Sequence, residues 1–394
     1  MALAGCGGQT CPPTQGVEPC PAPPTYESVL DVAVADFNGD GGPDVATPVS
    51  VFGLEPGAIG VYRHGAAAGK DFMARVDYPV STDPYTLLAV DLDGDGLPDA
   101  VTTDYRYSLV SVAMNRGDAA GTLGPAERLT APDAAGAAVA DLDGDGRLDL
   151  VIAGRDVYVS LQSPVAPGTF GTATLLYASP AGSKIRAVAT GDLDGDGTAD
   201  IVVADDAGVT VLFMAPPAGA PAIASARSVY VNQVPGRFTA IAIADIDGDG
   251  RNDLLIADSA GGIVAVLRQD PAAPGQFRPA QMYALPAGAG LSIVAADVDG
   301  DGRLDVVSGG SARVAVFRQD PVHPGILLPP EAYDVPIGAN RVAVADIDQD
   351  GLPDIVTTGG VSWHAVGPVL RTPPGVLYQD AAHPGRFLPL VDLL

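Results

Sequence analysis

The strongest constraint on this chain is a nine-residue acidic pattern, DxDxDGxxD or a near copy, that occurs seven times. Successive copies start 49 to 55 residues apart, at Asp36, Asp91, Asp141, Asp192, Asp245, Asp297 and Asp346. Repeats of about this length are typical of propellers and solenoids, in which each unit buries its apolar face against the next unit. The chain is therefore predicted to be an array of seven copies of one structural unit.

The negative charge of the chain is concentrated in these repeats. The chain has 48 acidic and 21 basic residues, and its formal net charge is -27. Twenty-seven of the acids lie in the repeats, and the other 21 balance the bases. A solvated acidic surface would distribute its charge along the chain. Instead, the charge is confined to seven points that need cations, and we expect no nucleic-acid partner.

Each repeat offers a set of oxygen ligands for a metal ion. The side chains at positions 1, 3, 5 and 9 and the backbone carbonyl at position 7 suit Ca²⁺ better than the stricter Mg²⁺. Glycine at position 6, present in all seven copies, allows the sharp turn around the ion. The sequence predicts up to seven calcium ions. The predicted ligands are Asp36, Asn38, Asp40, Gly42, Asp44; Asp91, Asp93, Asp95, Leu97, Asp99; Asp141, Asp143, Asp145, Arg147, Asp149; Asp192, Asp194, Asp196, Thr198, Asp200; Asp245, Asp247, Asp249, Arg251, Asp253; Asp297, Asp299, Asp301, Arg303, Asp305; and Asp346, Asp348, Asp350, Leu352, Asp354.

Two other interpretations of the pattern are weaker. An EF-hand needs a bidentate Glu at position 12, where this chain has residues such as Thr47 and Thr102. The flanking runs, such as AIAIAD and DIVVAD, are short and apolar and predict strands, whereas an EF-hand needs helices. A metal-free Asx-type turn would explain one copy. Seven copies of four convergent carboxylates would repel strongly without a cation, so calcium is favoured.

One repeat unit, residues 277–319, divides into four short strands, and the corner sequence QDPxxPG recurs between units. Such units predict an all-β fold, a seven-bladed β-propeller with four-stranded antiparallel blades; a straight solenoid is the alternative. Only one strand, near Tyr26, fits before the first loop. The chain ends with GRFLPLVDLL, which matches the opening strand of a unit. We therefore expect residues 387–394 to complete the first blade and close the ring.

With these repeats, the chain resembles the FG-GAP or VCBS-repeat seven-bladed propellers, relatives of the propeller at the head of integrin alpha subunits. The resemblance covers residues 26–394. It implies that the loop between the first two strands of each blade binds Ca²⁺. FG and GAP tags are nearly absent, with Phe52-Gly53 and Phe170-Gly171 the closest, and the form DLDGDGRLDLV is closer to VCBS repeats.

The partner site is expected on the face opposite the acidic loops. Alternation of the strands places all seven acidic loops on one face, and the loops on the other face vary in length. The seventh unit has an insertion between Asp354 and Gln379 that contains the only Trp. Long loops are often functional, so Trp363 and His364 are candidate ligand-binding residues.

Residues 1–25 form a Gly- and Pro-rich leader that is predicted to be disordered. The leader contains all three cysteines, Cys6, Cys11 and Cys20. The run LAGC resembles a bacterial lipobox, which would make Cys6 a lipidation site and the only membrane anchor. Only five residues precede Cys6, so this motif requires a true start further upstream.

Two classes of function follow from the sequence. Calcium loops suit the millimolar calcium outside the cell, which favours a secreted or cell-surface, adhesion-type module that binds a protein or a glycan as a monomer. The alternative is a secreted polysaccharide-active enzyme, a lyase or hydrolase on the same propeller. The usual catalytic motifs are missing, and the aspartates that hold calcium are not free acids, so we predict that the chain is not an enzyme.

Overall fold

Thirty β-strands and no helix make up the part of the chain that the computed structural model describes, which is residues 25–51, 56–65, 69–180, 184–217, 219–231, 239–335, 340–358, 369–370 and 374–393. No helix that could cross a membrane is found over these residues. Cys6, Trp363 and His364 lie outside the described residues. The strands are β1 (Thr25–Val29), β2 (Ala33–Ala35), β3 (Asp44–Val51), β4 (Ala58–Tyr62), β5 (Val76–Pro79), β6 (Thr86–Val90), β7 (Asp99–Asp104), β8 (Leu109–Ala113), β9 (Glu127–Thr130), β10 (Gly136–Ala140), β11 (Asp149–Ala153), β12 (Val157–Ser160), β13 (Thr174–Tyr177), β14 (Ala187–Gly191), β15 (Asp200–Ala204), β16 (Gly208–Met214), β17 (Ile223–Val231), β18 (Thr239–Ala244), β19 (Asp253–Asp258), β20 (Ile263–Leu267), β21 (Gln281–Ala284), β22 (Val294–Ala296), β23 (Asp305–Gly309), β24 (Arg313–Phe317), β25 (Glu331–Asp334), β26 (Arg341–Ala345), β27 (Asp354–Thr358), β28 (Val369–Leu370), β29 (Gly375–Leu377) and β30 (Val391–Asp392).

The strands form seven antiparallel sheets in sequence order, which confirms the predicted seven-bladed β-propeller. Blade 1 contains β2 to β5, with β1 and β28 added at its inner edge. Blades 2 to 6 contain β6–β9, β10–β13, β14–β17, β18–β21 and β22–β25. Blade 7 contains β26, β27, β29 and β30. In each blade the first strand lies nearest the central axis and the fourth lies outermost.

The hydrophobic core consists of seven clusters, each formed by two neighbouring blades. Strand β19 shows why the second strand of a blade is a continuous apolar run. Leu254 and Ile256 pack towards blade 4, whereas Leu255 and Ala257 pack towards blade 6. Alternate side chains of a strand point to opposite faces of its sheet, so both faces of β19 are buried. The seventh cluster joins blade 7 to blade 1 and closes the ring.

The expectation that the C-terminal strand completes the first blade is wrong. Phe387 forms a β-bridge with Gln379, and β30 pairs with β29, so the end of the chain is the outer strand of blade 7. The predicted unit 277–319 combines the outer strand of blade 5, β21, with the three inner strands of blade 6. A periodic sequence shows the length of a unit but does not show where the unit starts, because every starting point gives the same period.

The ring closes instead through contacts near the start of blade 1. Strand β1 pairs in parallel with β28, which belongs to the segment between β27 and β29 of blade 7. The Asp31 carboxylate accepts hydrogen bonds from the backbone N–H groups of Val32 (2.9 Å) and Leu87 (3.0 Å), and Leu87 belongs to blade 2. The Nε of Arg341, in blade 7, lies 3.6 Å from Asp31 Oδ1. Burial raises the pKa of Asp31, and the Arg341 guanidinium opposes that rise. Asp31 therefore links three blades.

We predict that Asp31→Ala destabilises the propeller by about 2–4 kcal/mol, because it leaves the Leu87 N–H and the Arg341 guanidinium without their buried partner. Urea denaturation of the full chain measures this loss. The matched control is Asp334→Ala, which removes an exposed carboxylate 2.8 Å from Arg313 and should cost less than about 1 kcal/mol. Equal losses in the two variants would contradict the linking role of Asp31.

Candidate functional site

The seven acidic loops all connect the first and second strands of a blade, as the resemblance implies. They lie on one face of the propeller, which we call the loop face, together with the corners between the third and fourth strands. The turns between the second and third strands lie on the opposite face. So do the segments that lead into each inner strand.

The first aspartate of each loop holds the loop closed. In the second loop, Asp91 Oδ1 accepts the backbone N–H of Gly94 (2.7 Å), and Asp91 Oδ2 accepts that of Gly96 (2.8 Å). Both glycines have positive φ angles, 78° and 91°. Only residues that tolerate the left-handed region fit there. Gln349 takes the position of the first glycine in the seventh loop with a φ of 58°.

The ninth aspartate ties the loop to the strands of its blade. Asp99 is buried; its Oδ2 accepts the N–H of Leu92 (2.9 Å) and its Oδ1 accepts the N–H of Asn115 (2.7 Å), at the end of the third strand. Equivalent bonds to the ninth aspartate occur in all seven loops. Burial raises the pKa of each ninth aspartate, and the backbone hydrogen bonds partly oppose that rise. The pKa rises to about 6 for Asp44, Asp99 and Asp354, and to about 7 for Asp200, Asp253 and Asp305; that of Asp149 is also raised.

Carboxylates at positions 1, 3 and 9 converge into triads whose oxygens lie within 4.8 Å of one another. At that distance two carboxylate charges repel by roughly 3 kcal/mol at an effective dielectric constant of about 20. The third-position Oδ1 atoms of Asp143, Asp247 and Asp348 are also buried without a hydrogen-bond partner. Converging, unpartnered oxygens fit a metal ion. Five of these triads are Asp91, Asp93 and Asp99; Asp141, Asp143 and Asp149; Asp192, Asp194 and Asp200; Asp245, Asp247 and Asp253; and Asp297, Asp299 and Asp305.

The fifth-position aspartates contact their own loops. Asp95 Oδ1 accepts the N–H of Leu97 (2.9 Å). In the third, fifth and sixth loops, the fifth-position carboxylate also pairs with the arginine at position 7, as Asp301 does with Arg303. The structure therefore brings positions 1, 3 and 9 together. The ligand roles of all five positions, including the position 5 carboxylate and the position 7 carbonyl, stay predictions.

A set of buried side chains that sequence reasoning treated as corner residues connects neighbouring loops. Gln319 Nε2 donates to the carbonyls of Leu304 (2.7 Å), in its own loop, and Ile246 (2.8 Å), in the loop of blade 5. Gln319 Oε1 accepts the N–H of Gly325 in the corner (2.8 Å). Gln162, Gln269 and Gln379 make the same link to the preceding loop, and Asn115 makes it in blade 2. In the sequence, the recurring QDPxxPG corner is the feature that marks these glutamines.

Two blades depart from this arrangement. In blade 4, Met214 occupies the glutamine position, and a cavity of about 340 Å³ lies between the third and fourth acidic loops. In blade 1, His64 occupies it; the ring is buried, and its Nε2 lies 2.8 Å from the carbonyl of Gly69. At the same junction, Lys70 Nζ lies 3.5 Å from Asp348 Oδ2 and 3.8 Å from the ring centre of Tyr378. The ammonium of Lys70 therefore partly neutralises the seventh loop.

Three concave sites lie on the opposite face among the residues that the structure describes. One, about 240 Å³, lies beside Tyr85 and Arg341. Another, about 230 Å³, is bounded by Tyr105 and Lys184. The third, about 190 Å³, is the mouth of the central channel, lined by the starts of the inner strands and by Asp31. Sequence reasoning named none of their residues, because they lie in the parts of each unit that do not repeat.

Comparison with known proteins agrees with this geometry. Residues 91–152, 141–203, 245–308 and 297–357 each match the FG-GAP-like repeat, and together they cover more than half of the chain. The chain belongs to the FG-GAP-like repeat family. No curated protein sequence matches this FG-GAP-like chain significantly.

Solved structures similar to this FG-GAP-like propeller share its fold at low identity. An Agrocybe aegerita lectin is 21% identical, with a TM-score of 0.50 over 76% of this chain and 79% of its own. BBS1N, solved in complex with ARL6DN, is 13% identical, with a TM-score of 0.55 over 85% and 90%. A putative 6-phosphogluconolactonase from Bacteroides uniformis is 14% identical, with a TM-score of 0.55 over 82% and 88%. These likenesses show the fold alone.

The raised pKa values of the ninth aspartates predict an unusual pH dependence for the metal-free FG-GAP-like propeller. A carboxyl whose folded pKa lies above its ordinary value of 3.8 favours folding when it is protonated. Stability should therefore rise as the pH is lowered from 8 through 7 and 6 towards 5. Thermal denaturation of dialysed, metal-free protein measures this. Metal-loaded protein is the control, and its melting temperature should fall over the same range, because protons displace the metal. A metal-free protein that loses stability from pH 8 to pH 5 would contradict the prediction.

Proposed function

We propose that this chain is a secreted or cell-surface binding module, with calcium ions in its acidic loops and a protein or glycan ligand on the opposite face. The observation that carries the proposal is the separation of two kinds of site. The carboxylate triads lie on the loop face, and the concave sites with tyrosine, lysine and arginine side chains lie on the other.

Calcium is favoured by the chemistry of the triads. Their donors are carboxylate oxygens, and no histidine or cysteine belongs to the five triads given above. Such hard ligands suit Ca²⁺ or Mg²⁺ over zinc or copper, and a flexible loop with several carboxylates suits the larger ion. When calcium is bound, it neutralises the triad and cross-links positions 1, 3 and 9. The protein residues hold the loop in place, because the ninth aspartate fixes it to the second and third strands.

An extracellular location follows from the calcium requirement. Extracellular modules bind calcium with dissociation constants of about 10⁻⁴ to 10⁻³ M. At a tenfold excess of calcium, each site would stabilise the fold by about 1.4 kcal/mol. In the low calcium of the cytoplasm such sites would be empty and their carboxylates would repel. A lipid on Cys6 would hold the module at a membrane surface.

The opposite face is the proposed partner surface. Strand β27 ends and β29 begins on this face, and Trp363 and His364, which lie between them in the sequence, stay candidate ligand-binding residues. The cavities favour binding over acid–base catalysis. The carboxylates that line them are paired with arginines. Asp31 lies 3.6 Å from Arg341, and Asp133 lies 3.6 Å from Arg155.

Site-specific blocking of each face tests the proposal. Cys6, Cys11 and Cys20 are first replaced by serine, and one cysteine is introduced at Ala312, in an exposed turn of the opposite face, or at Ala272, in an exposed corner of the loop face. Each protein is coupled to a bulky polyethylene glycol and assayed in calcium on glycan and extracellular-protein arrays. We expect coupling at Ala312 to remove binding and coupling at Ala272 to preserve it. The reverse pattern, or turnover of an arrayed glycan, would contradict the proposal.

A further inference from the structure

One concave site on the opposite face has a composition that is unusual for this chain. We call it the Tyr–Lys pocket; it has a volume of about 230 Å³, and its lining includes Tyr85, Tyr105, Asp133, Arg155, Lys184 and Arg186. The turns between the second and third strands of blades 2 and 3 form one wall. The segments that lead into the inner strands of blades 2, 3 and 4 form the other.

The pocket is cationic, although the chain is strongly acidic. Three basic side chains and one carboxylate line it, in a chain with a net charge of -27 and only two lysines. Arg155 lies 3.6 Å from Asp133, and its side chain is 72% exposed, so this pair is weak. Among the residues that the structure describes, no carboxylate lies within ion-pair distance of Lys184. Arg186 Nε lies 2.9 Å from Asp206 Oδ1, so the positive charge that carboxylates leave unpaired at the pocket is that of Lys184.

Lys184 is held at the pocket by the hydroxyl group of Tyr105. Its Nζ lies 2.7 Å from the Tyr105 hydroxyl oxygen and 5.3 Å from the centre of the Tyr105 ring. This contact joins the entry segment of blade 4 to the turn of blade 2 across blade 3. The ammonium retains two further N–H donors for a ligand.

The acidic loops do not cancel this positive charge. They lie at the other end of the inner strands, and a strand of five residues is about 17 Å long. The Debye length at physiological ionic strength is about 8 Å, so the field of the loops is largely screened at the pocket. Calcium in the loops would weaken that field further.

The tyrosines give the pocket an apolar surface as well as charge. Tyr105 is 41% exposed, and Tyr85 is partly exposed beside it. Flat aromatic surfaces with polar tips suit a ligand that has an apolar face and hydroxyl groups. The volume is below the range of about 300–1,000 Å³ that is typical of drug-sized ligands, which favours a single ring.

We infer that the Tyr–Lys pocket binds one carboxylated pyranose, a uronic acid residue of an acidic polysaccharide. The inference rests on the proposed function, since it assigns a ligand class to one site on the proposed partner face. The sugar ring lies against Tyr105, and its carboxylate accepts hydrogen bonds from Lys184 and from the exposed side chain of Arg155. A charge-assisted hydrogen bond in which the carboxylate accepts from an ammonium is stronger than a neutral one, so the carboxylate sets the specificity.

Titration calorimetry of the full chain in calcium tests the inference. The probes are the methyl glycosides of glucuronic and galacturonic acid, their methyl esters, the neutral methyl glucoside and galactoside, and an acidic peptide. We expect at least one uronate to bind about tenfold or more tightly than its ester and neutral counterpart, and more tightly than the peptide. Higher ionic strength should weaken this binding.

Three variants locate the site. Lys184→Met should weaken uronate binding about tenfold, the loss expected for one charge-assisted hydrogen bond, and Lys184→Arg should restore most of it. Arg313→Met is the matched control, because it removes an exposed cation from blade 6 on the same face, and it should leave binding unchanged. All variants should melt within a few degrees of the parent, since these side chains are exposed.

Either of two binding patterns would overturn the inference, and so would the absence of uronate binding. The first is equal binding of the uronates, their esters and the neutral sugars, or tighter binding of the peptide. The second is uronate binding that Lys184→Met does not change. If no uronate binds while another ligand is lost on blocking at Ala312, the ligand class is wrong and the proposed partner face stands. If ligands are lost only on blocking at Ala272, the partner face itself is wrong.

Discussion

The structure depends on holding seven groups of like charges close together. In five of the loops the carboxylates at positions 1, 3 and 9 have oxygens within 4.8 Å of one another. The backbone enforces this approach, because the ninth aspartate is buried and accepts N–H groups from its own loop and from the third strand. Protons or a metal ion can remove the repulsion. At neutral pH a metal ion would do so without taking the carboxylates away from their hydrogen bonds.

The loops are also coupled around the ring. The N–H of Leu92 donates to Asp99, and the carbonyl of Leu92 accepts from Gln162 of the next blade, whose own N–H donates to Asp149. Similar chains of hydrogen bonds join loop to loop through the glutamine side chains. Met214 interrupts the chain between blades 3 and 4, and His64 replaces the glutamine between blades 7 and 1. At the second junction, Asp31 and Lys70 form ion pairs between the two blades.

Sequence reasoning predicted the seven blades, the all-β fold and the acidic loops, because each follows from a spacing or a residue type that repeats. It misplaced the start of the unit, since the period is the same wherever the unit begins, and it therefore assigned the C-terminal strand to the wrong blade. It missed Gln319 and its equivalents because their partners lie in another blade. It also missed the Tyr–Lys pocket, since Tyr105 and Lys184 are far apart in sequence and neither repeats.

Direct counting of bound calcium tests the central claim most sharply. Equilibrium dialysis of the full chain at millimolar calcium should give between five and seven ions per chain, the number of triads given above and the number of loops. Asp247→Asn should lower the count by one, and Asp270→Asn, in a corner outside the loops, should not change it. A count of one or none would contradict the claim that the clustered carboxylates are held together by metal ions.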